Sequence, residues 1–282
     1  MNRFLLVFIG LTLCLIHACD QPSTTVSNDP KQHHQAKTED SSTQLHFATK
    51  QKIIQQYKHR SPQEWGEQVT GVKKRLQTNQ KVIALTLDAC GGPNGSQYDQ
   101  QLINYLIRHQ IPATLFINKR WLEANPTIFR QLARHPLFEI GNHGTDHKPL
   151  SVQGNTVYGI QGTKNVAEVI EEIWQNHQKI LQLTGKAPRY FRSGTAFYDE
   201  VAVQIANDLG EQVVNFDING DAGATYSKEK VKKALLRAKP GSIIILHMNQ
   251  PNKETAEGLS EAIPILKKRG YRFVKLTHYP LH

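Results

Sequence analysis

The amino-acid sequence predicts an α/β fold in which a parallel sheet closes into a barrel. From residue 80 onward, strand-like apolar runs and helical stretches alternate about seven times, and such alternation gives βαβ units with parallel strands. The run 81–87 is almost continuously apolar, as in a strand buried on both faces. The chain of 282 residues is also long enough to bury a large core.

The predicted elements follow one another in a regular order, and Ile111-Pro112 marks the turn before the second strand. A count of about seven strands suits a barrel better than an open sheet. The predicted strands are 81–87, 113–117, 138–140, 189–191, 212–216, 242–246 and 272–276. The predicted helices are 99–109, 126–133, 166–183, 199–209, 228–238 and 255–269.

The first 79 residues are predicted to precede this barrel. The apolar run 4–16 is too short to span a bilayer but is typical of a secretory signal. Ala18-Cys19 resembles a bacterial lipobox, which predicts a signal peptide at 1–18 and a lipidated Cys19; an ordinary secretion signal is the alternative. Residues 19–44 hold almost no apolar side chains and are predicted to be a disordered tether. Residues 45–79 are predicted to be a helical lead-in packed on the barrel, which then spans 80–282.

The charge pattern narrows the class of partner. The chain has 34 basic and 24 acidic residues, and the part from residue 45 onward has 31 and 20, a net charge of +11. An exported protein rarely meets nucleic acid, so we expect an envelope glycan or phospholipid headgroups as the anionic partner and no nucleic acid. Two of the three cysteines, Cys14 and Cys19, lie in the first twenty residues, which rules out a disulfide framework.

Reactive side chains follow five of the predicted strands. In parallel α/β folds the carboxyl ends of the strands share one edge, where catalytic residues collect. The spacing of His143 and His147 would let both imidazoles bind one metal ion, although two surface histidines in a loop are the alternative. A hydrolase built on them also needs a base and an acid. The residues after the strands are Asp88, Cys90, His143, His147, Arg192, Asp221 and His247.

The order and spacing of these residues resemble the polysaccharide deacetylase (NodB-homology) family, carbohydrate esterase family four, over residues 80–276. The resemblance implies a deformed (β/α)7 barrel, a divalent metal such as zinc, and hydrolysis of N-acetyl groups on N-acetylglucosamine or N-acetylmuramic acid polymers. It places Asp88 on the catalytic base and His247 on the acid. It further places Arg192 on the arginine that supports the base, Asp221 on the aspartate that tunes the acid, and His143 and His147 on the metal histidines.

Three positions depart from the family pattern. Ala89 stands where the family has a metal-binding aspartate, Gly194 where it has a proline, and Ala222 where it often has a tryptophan. Because alternate side chains of a strand share a face, Cys90 is expected on the same side as Asp88 and could supply a thiolate ligand. A buried cysteine without a ligand role, or a metal shell completed by Asp88 or water, are the alternatives.

The sequence thus predicts a metal-dependent polysaccharide N-deacetylase, a hydrolase held at the periplasmic side of a cell-envelope membrane by its lipid, with peptidoglycan as the favoured substrate. Two other functions are compatible with the departures. The barrel could be degenerate and bind glycan without hydrolysing it. It could also deacetylate a small or O-acetylated molecule, since Gly194 and Ala222 would widen the pocket.

Overall fold

A computed structural model describes residues 48–282. The predicted signal peptide, the lipidation site Cys19 and the tether lie outside these residues. Within the described part, no helix is both long enough and apolar enough to cross a membrane.

Helices and strands alternate through most of the described chain. The helices are α1 (48–57), α2 (Gln100–Arg108), α3 (Lys119–Ala124), α4 (Pro126–Arg134), α5 (Val166–Thr184), α6 (Glu200–Asp208), α7 (Lys228–Leu235) and α8 (Thr255–Lys268). The strands are β1 (Trp65–Gly66), β2 (Val82–Ala89), β3 (Ala113–Ile117), β4 (Phe138–Asn142), β5 (Thr156–Val157), β6 (Ile160–Gln161), β7 (Tyr190–Phe191), β8 (Tyr198–Asp199), β9 (Gln212–Val213), β10 (Ile218–Asn219), β11 (Ser242–His247) and β12 (Arg272–Val274).

The central sheet is parallel and has eight strands. Seven of them run in the order β10-β11-β2-β3-β4-β7-β9, and β12 pairs with the first residues of β2. The α/β class and the parallel sheet predicted from the sequence are confirmed, and the predicted barrel takes the form of a curled half-barrel. The sheet brings the carboxyl ends of its strands to one edge; His247 at the end of β11, for example, lies in register with Asp88 on β2.

Alternation along β2 separates two apolar cores. Leu85 and Leu87 face a large cluster between the sheet and the surrounding helices. Val82 and Ala84 face a smaller cluster with Phe116 inside the curled sheet. The inside of the curled sheet is thus apolar near the start of β2 and polar near its carboxyl end, where Asp88 faces inward like Val82 and Ala84.

Closure of the barrel differs from a simple ring of seven strands, because β9 and β10 do not pair with each other. The segment before β2 fills the gap, since Lys73 bridges to Val214 in parallel and Arg75 bridges to Ser242 antiparallel. The predicted strand 212–216 accordingly ends at residue 213, because the Asn215 N–H donates to the Lys73 carbonyl (2.7 Å) instead of extending the ladder.

The stretch 45–79 is helical only in part. Within its described residues the helix covers 48–57, where Ile53 and Tyr57 are buried. The chain then continues without helix to β2, and β1 pairs antiparallel with β8. Pro62 and two glycines in this stretch explain why the helix does not continue.

Candidate active site

A buried ion pair joins Asp88 to Arg192 at the polar end of the barrel. One guanidinium nitrogen donates to Asp88 Oδ1 at 2.7 Å and to Thr86 Oγ1 at 2.9 Å. The other guanidinium N–H groups donate to the carbonyls of Val214 (3.0 Å) and Asn215 (3.1 Å). Arg192 is fully buried and Asp88 is 2 % exposed. Every arm of the guanidinium is held, so Asp88 has a fixed orientation with Oδ1 engaged.

A second carboxylate orients His247 at the end of β11. Its Nδ1 lies 2.8 Å from Asp221 Oδ1, and its backbone N–H donates to Asp221 Oδ2 at 2.7 Å. Burial disfavours the charged imidazole, but the neighbouring Asp221 carboxylate outweighs it and raises the pKa of His247 well above its usual value. This shift favours the protonated ring. Asp221 engages Nδ1, and the ring also hydrogen-bonds Cys90, which raises the pKa further.

Cys90, His143 and His147 bring three potential metal ligands together. Their ligand atoms all lie within 4.8 Å of one another, and Cys90 Sγ is 3.9 Å from His143 Nε2. His143 Nδ1 lies 2.9 Å from the Arg192 carbonyl, which fixes the proton on Nδ1 and leaves Nε2 as a lone-pair donor. Asp88 Oδ2 lies 3.6 Å from the same Nε2. The cluster thus adjoins the Asp88–Arg192 pair.

These three residues fit a divalent metal. His147 Nε2 is buried, and within the described residues it has no hydrogen-bond partner, which is costly unless a ligand is supplied. Burial raises the pKa of the Cys90 thiol, but the charge of His147 and hydrogen bonds from the surrounding imidazoles lower it well below its usual value. A thiolate with two imidazoles is a donor set that zinc favours.

A cleft of about 440 Å³ opens above these groups. Asp88, His147 and His247 line its floor, and Ala222 and Tyr158 lie among its walls. All seven residues selected from the sequence therefore lie in one region of the structure: three line the cleft, and the other four contact or adjoin those three.

Comparison with known proteins relates the chain to a family. The family model described as polysaccharide deacetylase matches residues 75–214. Over these residues the chain is similar to polysaccharide deacetylases.

Two curated relatives are deacetylases, and one solved structure shares the fold. The peptidoglycan-N-acetylmuramic acid deacetylase PdaA of Bacillus subtilis is 28% identical over 70% of this chain and 70% of its own. A peptidoglycan-N-acetylglucosamine deacetylase of Bacillus cereus is 27% identical over 71% of this chain and 88% of its own. A family 4 carbohydrate esterase pseudoenzyme of Bacillus anthracis shares the fold, with a TM-score of 0.62 at 21% identity over 73% of this chain and 67% of its own. The predicted enzyme class, a polysaccharide deacetylase acting as a hydrolase, is confirmed.

The burial of position 89 explains why this deacetylase has no carboxylate there. Ala89 is fully buried in the cluster beneath the helices, on the same side as Leu87. An ionised side chain there would be desolvated among apolar groups. Cys90, the next residue along the chain, reaches the histidines instead.

Gly194 is explained by the position of His147. A Cβ atom added at Gly194 would lie 2.4 Å from the His147 backbone carbon and oxygen. Any larger residue would push the backbone of this candidate metal ligand away. Glycine at position 194 therefore allows the loop after β7 to approach the backbone of His147 closely.

Sequence analysis missed Glu172, which organises the loop between the two histidines. Its buried carboxylate on α5 accepts the backbone N–H groups of Thr145, Asp146 and Lys148 at 3.0–3.1 Å. Burial outweighs these donors and raises the pKa of Glu172 to about 7. Gly144, with φ of +77°, lies so close that a Cβ atom would be 2.4 Å from Glu172 Oε1. The sequence signal for this role is weak, because Glu172 shares the buried face of α5 with two other polar residues, Asn176 and His177.

Proposed function

We propose that this protein is a metal-dependent N-deacetylase of an N-acetylated cell-envelope polysaccharide. The observation that carries the proposal is the juxtaposition of two oriented acid–base groups, Asp88 and His247, on the floor of one cleft beside a possible metal site. Amide hydrolysis needs a group that takes a proton from the attacking water and a group that protonates the leaving nitrogen.

Asp88 is suited to act as the base. Its Oδ1 is held by Arg192, so Oδ2 is the oxygen available to accept a proton from water. His247 is suited to act as the acid, because Asp221 holds Nδ1 and stabilises the protonated ring, so that Nε2 is the nitrogen that would donate to the departing amine. Arg192 and Asp221 position these two groups and are themselves buried away from the substrate.

Cys90, His143 and His147 are proposed to hold the metal, with zinc the best match to a thiolate and two imidazoles. When bound, such an ion would polarise the acetyl carbonyl and stabilise its developing negative charge. Metal analysis of purified wild type and Cys90→Ser tests the thiolate. We expect zinc content to fall in the variant, and equal content in both proteins would reject Cys90 as a ligand.

Peptidoglycan is the proposed substrate. The net charge of +11 on the folded part complements the lactyl and stem-peptide carboxylates of that polymer, and the named relatives act on peptidoglycan. Chitooligosaccharide deacetylases are also among the relatives, so a panel of both polymers is needed. Acetate release should appear on at least one of them and disappear with a chelator; a panel without acetate release would reject the proposal.

A lipid anchor at Cys19 is proposed to hold the enzyme at the periplasmic side of the envelope. The proposal rests on the lipobox-like Ala18-Cys19 pair alone. Wild type should fractionate with membranes and incorporate labelled palmitate. Cys19→Ser should do neither, and labelling of that variant would contradict the assignment.

Deacetylation of a small or O-acetylated molecule is the alternative that the cleft also admits. Ala222 leaves the cleft wall without a large side chain, whereas the space beside Gly194 is occupied by the His147 backbone. Comparing rates on acetyl esters, free N-acetylglucosamine and the polymers separates the two functions, because a polymer enzyme should prefer the longer substrates.

A further inference from the structure

Within residues 48–282, a small hairpin carries the large hydrophobic side chains that are exposed. Among the described residues, only Tyr158 (72 % exposed) and Ile160 (37 % exposed) are large hydrophobic side chains left in solvent. Both belong to the β5–β6 hairpin, and both line the cleft that contains Asp88 and His247. Exposed apolar groups concentrated at the entrance of a site indicate a binding surface.

We propose that Tyr158 forms a stacking subsite for a sugar ring of the glycan chain, next to the sugar that is deacetylated. This inference rests on the proposed function. The sugar whose acetyl group reaches Asp88 and His247 is one unit of a polymer, so its neighbours must continue along the cleft walls. The flat C–H faces of a pyranose ring match an aromatic side chain that presents apolar area at low entropic cost.

The backbone holds Tyr158 in place. Val157 pairs with Ile160, so Tyr158 and Gly159 form a two-residue turn with φ of +54° and +74°. Two positive φ values match the turn type that suits the twist of a hairpin, in which Asn-Gly is the preferred pair. Tyrosine is an unfavourable choice at this position, and such a choice at a cleft suggests a functional reason.

Aromatic neighbours limit the motion of the ring. Tyr158 makes a T-shaped contact with Phe197, with centroids 5.6 Å apart, and Phe197 in turn packs against Trp65 at 5.8 Å. Trp65 lies on β1, which pairs with β8 immediately after Phe197. The ring is thus supported from the barrel side while most of its surface stays exposed.

The cleft favours a glycan over a protein partner at this surface. The exposed area is limited to one hairpin and continues directly into the catalytic floor. A stable protein interface needs roughly 800 Å² from each partner, whereas stacking of one sugar ring needs only a single aromatic face.

The test compares variants that keep the turn but change the ring. Tyr158→Asn removes the ring and supplies the residue that this turn prefers, so the hairpin should remain formed. Tyr158→Trp keeps an aromatic face. For an N-acetylglucosamine pentamer we expect Tyr158→Asn to raise KM roughly three- to tenfold with kcat retained, and Tyr158→Trp to stay near wild type. The change for the dimer should be smaller. Binding of the pentamer to Asp88→Asn, with and without Tyr158→Asn, provides the same comparison without turnover.

The outcomes distinguish this inference from the proposed function. If wild type releases acetate but Tyr158→Asn has an unchanged KM and an unchanged pentamer affinity, the stacking subsite is wrong and the enzyme assignment stands. If wild type neither releases acetate nor binds the pentamer, the glycan assignment fails and the subsite with it. A KM that rises equally in Tyr158→Asn and Tyr158→Trp would also overturn the stacking role.

Discussion

The hydrogen bond between Asp221 and His247 makes a quantitative prediction for the pH dependence of the reaction. Replacing Asp221 by Asn removes the negative charge 2.8 Å from His247 Nδ1 while keeping an oxygen of similar position. A hydrogen bond to a charged group contributes about 1.5–3 kcal/mol, and one pKa unit corresponds to about 1.4 kcal/mol. The pKa of His247 should therefore fall by roughly one to two units.

The direction follows from the role of His247 as a proton donor. Its pKa in the wild type is raised well above the usual value, because the Asp221 carboxylate stabilises the charged ring against the effect of burial. In Asp221→Asn the alkaline limb of kcat/KM should move to lower pH by about one to two units, because that limb reports the free enzyme's acid. The acidic limb should stay in place.

The assay is acetate release across pH, with Asp217→Asn as the matched control. Asp217 is a partly buried aspartate that directly precedes β10. Its carboxylate pairs with Arg75 and accepts from Ser242 and the Ile243 N–H, and His247 is not among these partners. The control should leave both limbs unchanged. An active Asp221→Asn enzyme with an unshifted alkaline limb would refute the assignment of His247 as an acid tuned by Asp221.

Three further predictions concern the groups behind the site. Burial raises the pKa of Glu172 to about 7, so the folded state holds a proton that the unfolded state releases near pH 4.5. The free energy of unfolding of the wild type should therefore fall by up to about 3 kcal/mol as pH rises from 4.5 through 7. Urea unfolding of Glu172→Gln should lack this pH dependence, and the same pH dependence in both proteins would contradict the role of Glu172. Gly194→Ala should displace His147 and reduce bound metal. Gly210→Ala should leave bound metal unchanged, because its Cβ meets no atom within 4 Å, although its φ of +88° makes the substitution cost some stability. Arg192→Met leaves Asp88 buried without its partner and should cost about 3–5 kcal/mol of unfolding free energy; a loss below about 1 kcal/mol would show that the pair is not buried in solution.

Long apolar runs made most of the fold predictable. Strand β3 has the predicted bounds 113–117. The predicted helix 126–133 is one residue shorter than α4. Side-chain periodicity and a proline set the bounds of these two elements. Short elements escaped prediction. Helix α3 has six residues and depends on the Asn118 side chain accepting the Arg120 N–H, while β10 has two residues and exists only through its pairing with β11.

Some residues of the candidate site could be predicted from the sequence and others could not. Asp88 and His247 could be selected because they end apolar strands, and parallel strands bring those ends together. Glu172 could not, because its carboxylate acts on backbone N–H groups 24 to 27 positions away, which leave no spacing signal. The requirement for Gly194 likewise arises from a contact between two loops that only the folded chain creates.

The most direct test of the central claim is the rate of acetate release from N-acetylated glycan by wild type and by Asp88→Asn. Asn keeps the size of the side chain and its contact with Arg192 but has no basic oxygen. The account predicts acetate release by wild type and a loss of about 10²–10⁴-fold in kcat for the folded variant. Release by Asp88→Asn at the wild-type rate would contradict it.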